Sequence, residues 1–149
     1  MALPEEHLTD DLLKQLLAAE SPEAYLDAGE TIDRELPDYL NALLADRRTN
    51  RSKLSSASGV TTSYVYQIFD GSRTPGRDTA IRLAFGLRCS VAETQRLLRL
   101  AGVSELWPKR RRDAIILWCV EQGMSYTACD EELARFGEPT LYDSEGRDA

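Results

Sequence analysis

Apolar residues in this chain recur three and four positions apart and almost never two apart, and that spacing confines it to a helical fold. Leu8, Leu12, Leu13, Leu16 and Leu17 form the stripe of a first helix, with Thr9 or Asp10 as its cap. Ser21-Pro22-Glu23 opens a short second helix that ends near Gly29, and a linker runs on to Asp33. Leu36, Tyr39, Leu40, Leu43 and Leu44 mark a third helix, closed by Arg47-Arg48, two cations suited to a helix C-terminus. Asn50 can cap a helix over Arg51 to Ser58, which Gly59-Val60 breaks, and Thr61 can cap another over Thr62 to Phe69, which Asp70-Gly71 stops. After a loop from Ser72 to Gly76, a helix over Arg77 to Leu87 carries Ile81, Leu83, Ala84 and Leu87. Ser90 and Glu93 form a capping box that opens the next helix, which reaches Ala101 before Gly102. Trp107-Pro108 falls in a connector. The unbroken apolar run Ala114 to Val120 then predicts a helix over Asp113 to Gln122 that is buried on most sides. Ser125 caps a last helix with the stripe Tyr126, Cys129, Leu133 and Phe136, and residues beyond Glu138 read as a frayed acidic tail.

With 149 residues the chain suits one domain with an extension: an acidic helical arm over 1–33, a helical domain over 34–137 and an acidic tail over 138–149. No stretch approaches the roughly 18 apolar residues of a membrane span, and the acidic start lacks the basic-then-apolar layout of a signal peptide, so a cytoplasmic protein is expected. Three cysteines without paired spacing, Cys89, Cys119 and Cys129, predict reduced core side chains and neither a disulfide framework nor a zinc site.

Charge is partitioned along the chain. Residues 1–46 hold 12 acids and 2 bases, residues 47–112 hold 4 acids and 14 bases, and residues 113–149 hold 9 acids and 2 bases. The net charge of −7 therefore conceals a basic middle, the only segment suited to a polyanion, unless the acidic ends fold over it.

Within that basic middle two short helices are joined tightly. Leu54 and Ala57 line the first, Gly59 makes the turn, Val60 plugs it, and Val65, Ile68 and Phe69 share one side of the second. At about 100° per residue Ser63 and Gln67 fall on the opposite side of the second helix with Thr62 and Tyr66 flanking them, an outward face with no charge. Hydroxyls and amides can donate and accept at base edges, and a glutamine can pair with adenine through two bonds. Cations lie on both sides of this helix: Arg47, Arg48, Arg51 and Lys53 before it, Arg73 and Arg77 after it. That layout suits contacts to the sugar-phosphate backbone that position a helix reading the groove between.

The stretch "LSSASGVTTSYVYQIF" followed by "DGSRTPGRDTAIRLAFGL" resembles the XRE family, the Cro and phage-repressor type of helix-turn-helix. The resemblance spans about residues 35–101, and the continuation "ETQRLLRLAGVSELWPKRRRDAIILWCVEQG" to "GEPTL" looks like a subgroup with two further helices. It implies an all-α fold: a five-helix repressor-like core with an N-terminal helical extension and two appended C-terminal helices. It also implies sequence-specific binding of double-stranded DNA, as a homodimer, to regulate transcription. By position, the base contacts fall on Thr62, Ser63 and Gln67, and the phosphate contacts on Arg51 and the loop with Arg73. Ser55 and Ser58 depart from the family pattern, which prefers Ala and an apolar residue there. The leucine stripe of residues 8–17, or the last two helices, would supply the dimer contact; the acidic arm could instead lie over the basic face and compete with DNA.

Lys109-Arg110-Arg111-Arg112 precedes a helix, where the dipole disfavours cations. It can grip a phosphate strand or an acidic partner, or pair with Asp113 or the acidic tail. The single histidine, His7, has no nucleophile or second ligand beside it, and no phosphate-cradling glycine loop is present, so no enzyme, cofactor or metal is expected. Asp130-Glu131-Glu132 reads as a solvated helix face, and Trp107 and Trp118 read as core residues. The competing function is an adaptor that uses the same fold to hold a protein partner, suggested by the acidic ends and by Tyr66.

Overall fold

The structure is a computed structural model and describes residues 9–27 and 35–142. The described residues form nine helices and no strand, an all-α fold: α1 (Thr9–Ala18), α2 (Pro22–Asp27), α3 (Leu36–Asp46), α4 (Arg51–Ser58), α5 (Thr62–Phe69), α6 (Arg77–Gly86), α7 (Val91–Leu100), α8 (Arg111–Glu121) and α9 (Tyr126–Arg135). None of these helices is long and apolar enough to cross a membrane. The expectations for Leu8, for His7 and for the linker from Gly29 to Asp33 lie outside the described residues.

Local chemistry sets most of the helix starts. The Asn50 side chain accepts from the Lys53 N–H at 2.8 Å, and the Ser125 hydroxyl accepts from the Ala128 N–H at 3.1 Å. Both halves of the capping box at α7 are made: the Glu93 N–H donates to Ser90 Oγ at 3.1 Å, and the Ser90 N–H donates to Glu93 Oε1 at 2.9 Å. On α3 the leucine and tyrosine stripe is buried as its spacing predicts.

The centre of the molecule is α6, which packs on α4, α7 and α9. From Asp78 to Phe85 every residue of α6 is buried. The sequence predicts α8 to be buried on most sides, because of its apolar run. There Trp118 is 55% exposed, and Ala114, Ile115 and Leu117 are only half-buried. Composition misled because α6 carries polar groups whose partners lie inside the fold. Arg112 donates to both carboxylate oxygens of Asp78 at 2.9 Å. Arg82 Nε donates to the Ser58 carbonyl at 3.0 Å, and its guanidinium lies between the rings of Tyr126 and Tyr142, 5.4 Å from each. The Arg82 guanidinium is met inside the fold by a carbonyl and two aromatic rings, so a helix that reads in sequence as surface is buried.

Close approach of α4 and α6 depends on Gly86. A Cβ at that position would lie 2.8 Å from Leu54 Cδ1 and 3.3 Å from the Ser58 backbone nitrogen.

The C-terminal boundary also shifts. Leu141 is fully buried, and Asp130 accepts from the backbone N–H groups of Leu141 at 2.7 Å and Tyr142 at 3.1 Å. Asp130 is therefore an anchor rather than part of a solvated acidic face, and the segment after Glu138 belongs to the domain as far as Tyr142. On α1, by contrast, Leu13, Leu16 and Leu17 are exposed.

Candidate nucleic-acid interface

The α4–turn–α5 unit is tied together by its own serines. Gly59 takes a left-handed conformation at φ 71°, and a Cβ there would also strike the Tyr126 ring and hydroxyl from α9. The Ser55 hydroxyl donates to the Val60 carbonyl at 2.6 Å and lies 3.2 Å from the Thr62 hydroxyl. The Ser58 hydroxyl donates back to the Leu54 carbonyl at 2.7 Å and accepts from the Val60 N–H at 3.2 Å. Ser58 thus fills a fully buried position where an apolar residue was expected, with its hydroxyl satisfied on the spot. It takes the place expected of Ala57, which is exposed; Leu54 and Ser58, four apart, define the buried face of α4.

On α5 the inner side is Tyr64, Val65, Ile68 and Phe69, all buried. Tyr64 was not anticipated; it lies about 100° from Val65 on the helix, at the margin of the apolar face. Thr62, Ser63, Tyr66 and Gln67 are all exposed, contiguous and uncharged.

The cations around α5 separate into two groups. Arg48 and Lys53 are exposed, and no ion pair among the described residues involves them. Arg48 holds a left-handed backbone at φ 53°. Arg51 lies over the Tyr66 ring at 5.1 Å and the Phe69 ring at 5.6 Å, which fixes its guanidinium beside the exposed face of α5. Arg73 lies over the Tyr64 ring at 4.3 Å, and its Nη1 reaches Gln67 Oε1 at 3.5 Å. The Asp70 carboxylate accepts from the Ser72 N–H at 2.8 Å and shapes the loop that carries Arg73.

Arg47 and Arg77, expected among the phosphate contacts, are taken up internally. Arg47 pairs with Glu93 and with Asp46. Burial pulls the Arg47 pKa down, but the hydrogen bond and charge of Glu93 outweigh it and raise the value. Burial likewise pushes Glu93 up, yet the Ser90 N–H and the Arg47 guanidinium hold it below the usual carboxylate range. Arg77 grips Asp113 at 2.8 and 3.1 Å, together with the carbonyls of Ser104 and Glu105 at 2.9 Å, and so clamps the α7–α8 connector.

The second basic run also divides. Arg112 is bound to Asp78 and the Pro139 carbonyl, and Arg111 pairs with Glu138 at 3.1 Å, while Lys109 and Arg110 remain exposed. Trp107 and Trp118 are 51% and 55% exposed, contrary to the core positions expected of them. The apolar stripe of α8 is wider than the surface its neighbours cover, and Trp118 lies on the uncovered part. All three cysteines are buried free thiols, and burial pushes Cys89 up to about 12, far from a reactive thiolate. Among the described residues no cluster of His, Cys, Asp or Glu could hold a metal ion. An open groove of about 870 Å3 runs between Ala57, Phe85, Arg88 and Met124. Its half-buried charges, Arg47 and Glu93, are already paired with each other.

No protein-family model, curated protein or solved structure matches this chain.

Proposed function

We propose that the chain is a sequence-specific double-stranded DNA-binding regulator of the repressor-like helix-turn-helix type, with α5 in the major groove. The observation that carries this reading is the exposed face of α5. Four hydroxyl and amide side chains face outward on a helix whose other side is locked into the core. Arg48, Arg51, Lys53 and Arg73 lie before and after it in the chain, with Arg51 stacked on α5's own Tyr66. In this assignment Gln67 pairs with a base through its amide, and Thr62 and Ser63 bond to base edges or phosphates near the helix start. Tyr66 supplies a ring and hydroxyl at the edge of the groove. The four cations neutralise phosphates and set the register without reading sequence. Arg47, Arg77 and Arg112 are left out, because their guanidiniums hold the fold together.

Selection from random duplex DNA with the full chain, at two salt concentrations, tests the proposal. An enriched palindrome is expected, with half-sites about one helical turn apart and affinity falling steeply with salt. Absence of any enriched sequence or salt-dependent shift would overturn it and favour the protein-adaptor role.

A further inference from the structure

Two apolar surfaces of this chain are left uncovered, and they complement each other. The first is the stripe Leu13, Leu16 and Leu17 on α1, where Leu17 is 75% exposed. Asp10 and Asp11 precede the stripe, Lys14 lies within it, and Glu20 and Glu23 follow beyond the end of α1. The second is a groove of about 300 Å3 between α8 and α9, lined by Ala114, Ile115, Trp118, Glu132, Arg135 and Phe136. Trp118 is 55% and Phe136 41% exposed.

The rim of this groove is basic at one end. Arg135 and Arg111 both lie over the Phe136 ring, at 4.3 and 5.6 Å. Lys109, Arg110 and Arg111 surround the start of α8, where the helix dipole disfavours them and no side chain caps the helix. Arg111 pairs with Glu138 and donates to the Phe136 carbonyl at 2.9 Å, and Arg135 makes two bonds to Glu132, but both guanidiniums stay mostly exposed, where such pairs contribute little. The leucine stripe offers apolar side chains to Trp118 and Phe136, and the segment around it, with four carboxylates against the single cation Lys14, offers negative charge to the arginine rim.

We propose that the α8–α9 groove receives the α1 helix of a second copy of this chain, so that two copies exchange their acidic arms in a closed homodimer. A second copy is favoured over the chain's own arm because one chain, as folded, leaves both surfaces open. Reciprocal exchange buries both surfaces twice and closes with twofold symmetry, leaving no groove for a third copy. The proposal does not depend on DNA binding and is tested without DNA.

Sedimentation equilibrium of the full chain is the experiment, with helicity monitored to confirm that each variant folds. The wild-type chain is expected to sediment as a dimer. An arm variant (Leu13→Ser, Leu16→Ser, Leu17→Ser) and a groove variant (Trp118→Ser, Phe136→Ser) should each weaken the dimer about tenfold or more, as removal of anchor residues does at an interface centre. Because all five side chains are exposed, neither set empties the core. Mixing the two variants should restore a heterodimer, since the intact arm of one fits the intact groove of the other. A monomeric wild-type chain would overturn the proposal. So would an arm variant that dimerises normally, which would show a groove-to-groove contact, or a mixture that associates no better than its components.

Discussion

At residue scale the fold and the candidate interface divide the arginines between them, and the division follows geometry rather than position in sequence. Arg47, Arg77 and Arg112 lie within hydrogen-bond reach of carboxylates fixed elsewhere in the fold. Arg48, next to Arg47, points outward from a left-handed backbone that suits glycine better. Arg48→Gly therefore removes the guanidinium without straining the chain. Its stability is expected to stay within about 1 kcal/mol of wild type, because relief of the left-handed conformation offsets the greater chain entropy of glycine. Its affinity for duplex DNA should fall equally for all sequences, with the salt slope reduced by about one ion. Denaturant titration and binding at several salt concentrations check both halves. A clear loss of stability would mean that Arg48 serves the fold.

At the scale of elements, the helices were legible in the sequence because caps, glycines and three-four spacing are local signals. The starts at Asn50, Thr61, Ser90 and Ser125 coincide with α4, α5, α7 and α9. The outward side of α5 was legible for the same reason: Val65, Ile68 and Phe69 fix the inner side, and the rest follows from helix geometry. What a helix packs against is not a local signal. The burial of α6 depends on Asp78 meeting Arg112, 34 residues away, and on Ser58 meeting Arg82, and neither pairing leaves a periodic trace. The exposure of Trp118 and the burial of Leu141 were misread for the same reason: each depends on where distant segments run. Gly86 gives a test at this scale. Replacing a helical glycine by alanine ordinarily stabilises by up to about 1 kcal/mol. At Gly86 the added methyl meets Leu54 and the Ser58 backbone, and such overpacking costs about 1–3 kcal/mol. Gly86→Ala should therefore lower the denaturation midpoint, and a raised midpoint would show that α4 and α6 separate easily.

At the scale of the whole molecule, the partition of charge into acidic, basic and acidic segments is partly used up in assembly. Asp113, from the acidic C-terminal segment, neutralises Arg77 of the basic middle, and Glu138 pairs with Arg111, whose guanidinium stays mostly exposed. Within the basic middle, Glu93 neutralises Arg47 and so links α7 to the end of α3. Since Glu93 is held below the usual carboxylate range, its contribution is complete above the ordinary glutamate value of about 4.3 and is lost as pH falls through its lower folded value. Stability should accordingly decline on acidification below about pH 5. Glu93→Gln should be about 1–3 kcal/mol less stable at neutral pH, with a flatter profile between about pH 5 and 3, as measured by denaturant titration across that range. A variant with the wild-type pH profile would show that other carboxylates carry the acid sensitivity.

Arg48, Arg51, Lys53 and Arg73, before and after the uncharged face of α5 in the chain, carry the proposed phosphate contacts. The most direct measurement is the binding of wild type, Gln67→Ala and Lys53→Ala to a selected duplex and to single-base variants of it, across a series of salt concentrations. Gln67→Ala is expected to lose about 1–3 kcal/mol at one base position, relax discrimination there and keep the wild-type salt slope. Lys53→Ala should weaken every duplex alike and reduce the slope by about one ion. Identical behaviour of the two variants would contradict the assignment of α5 as the reading helix.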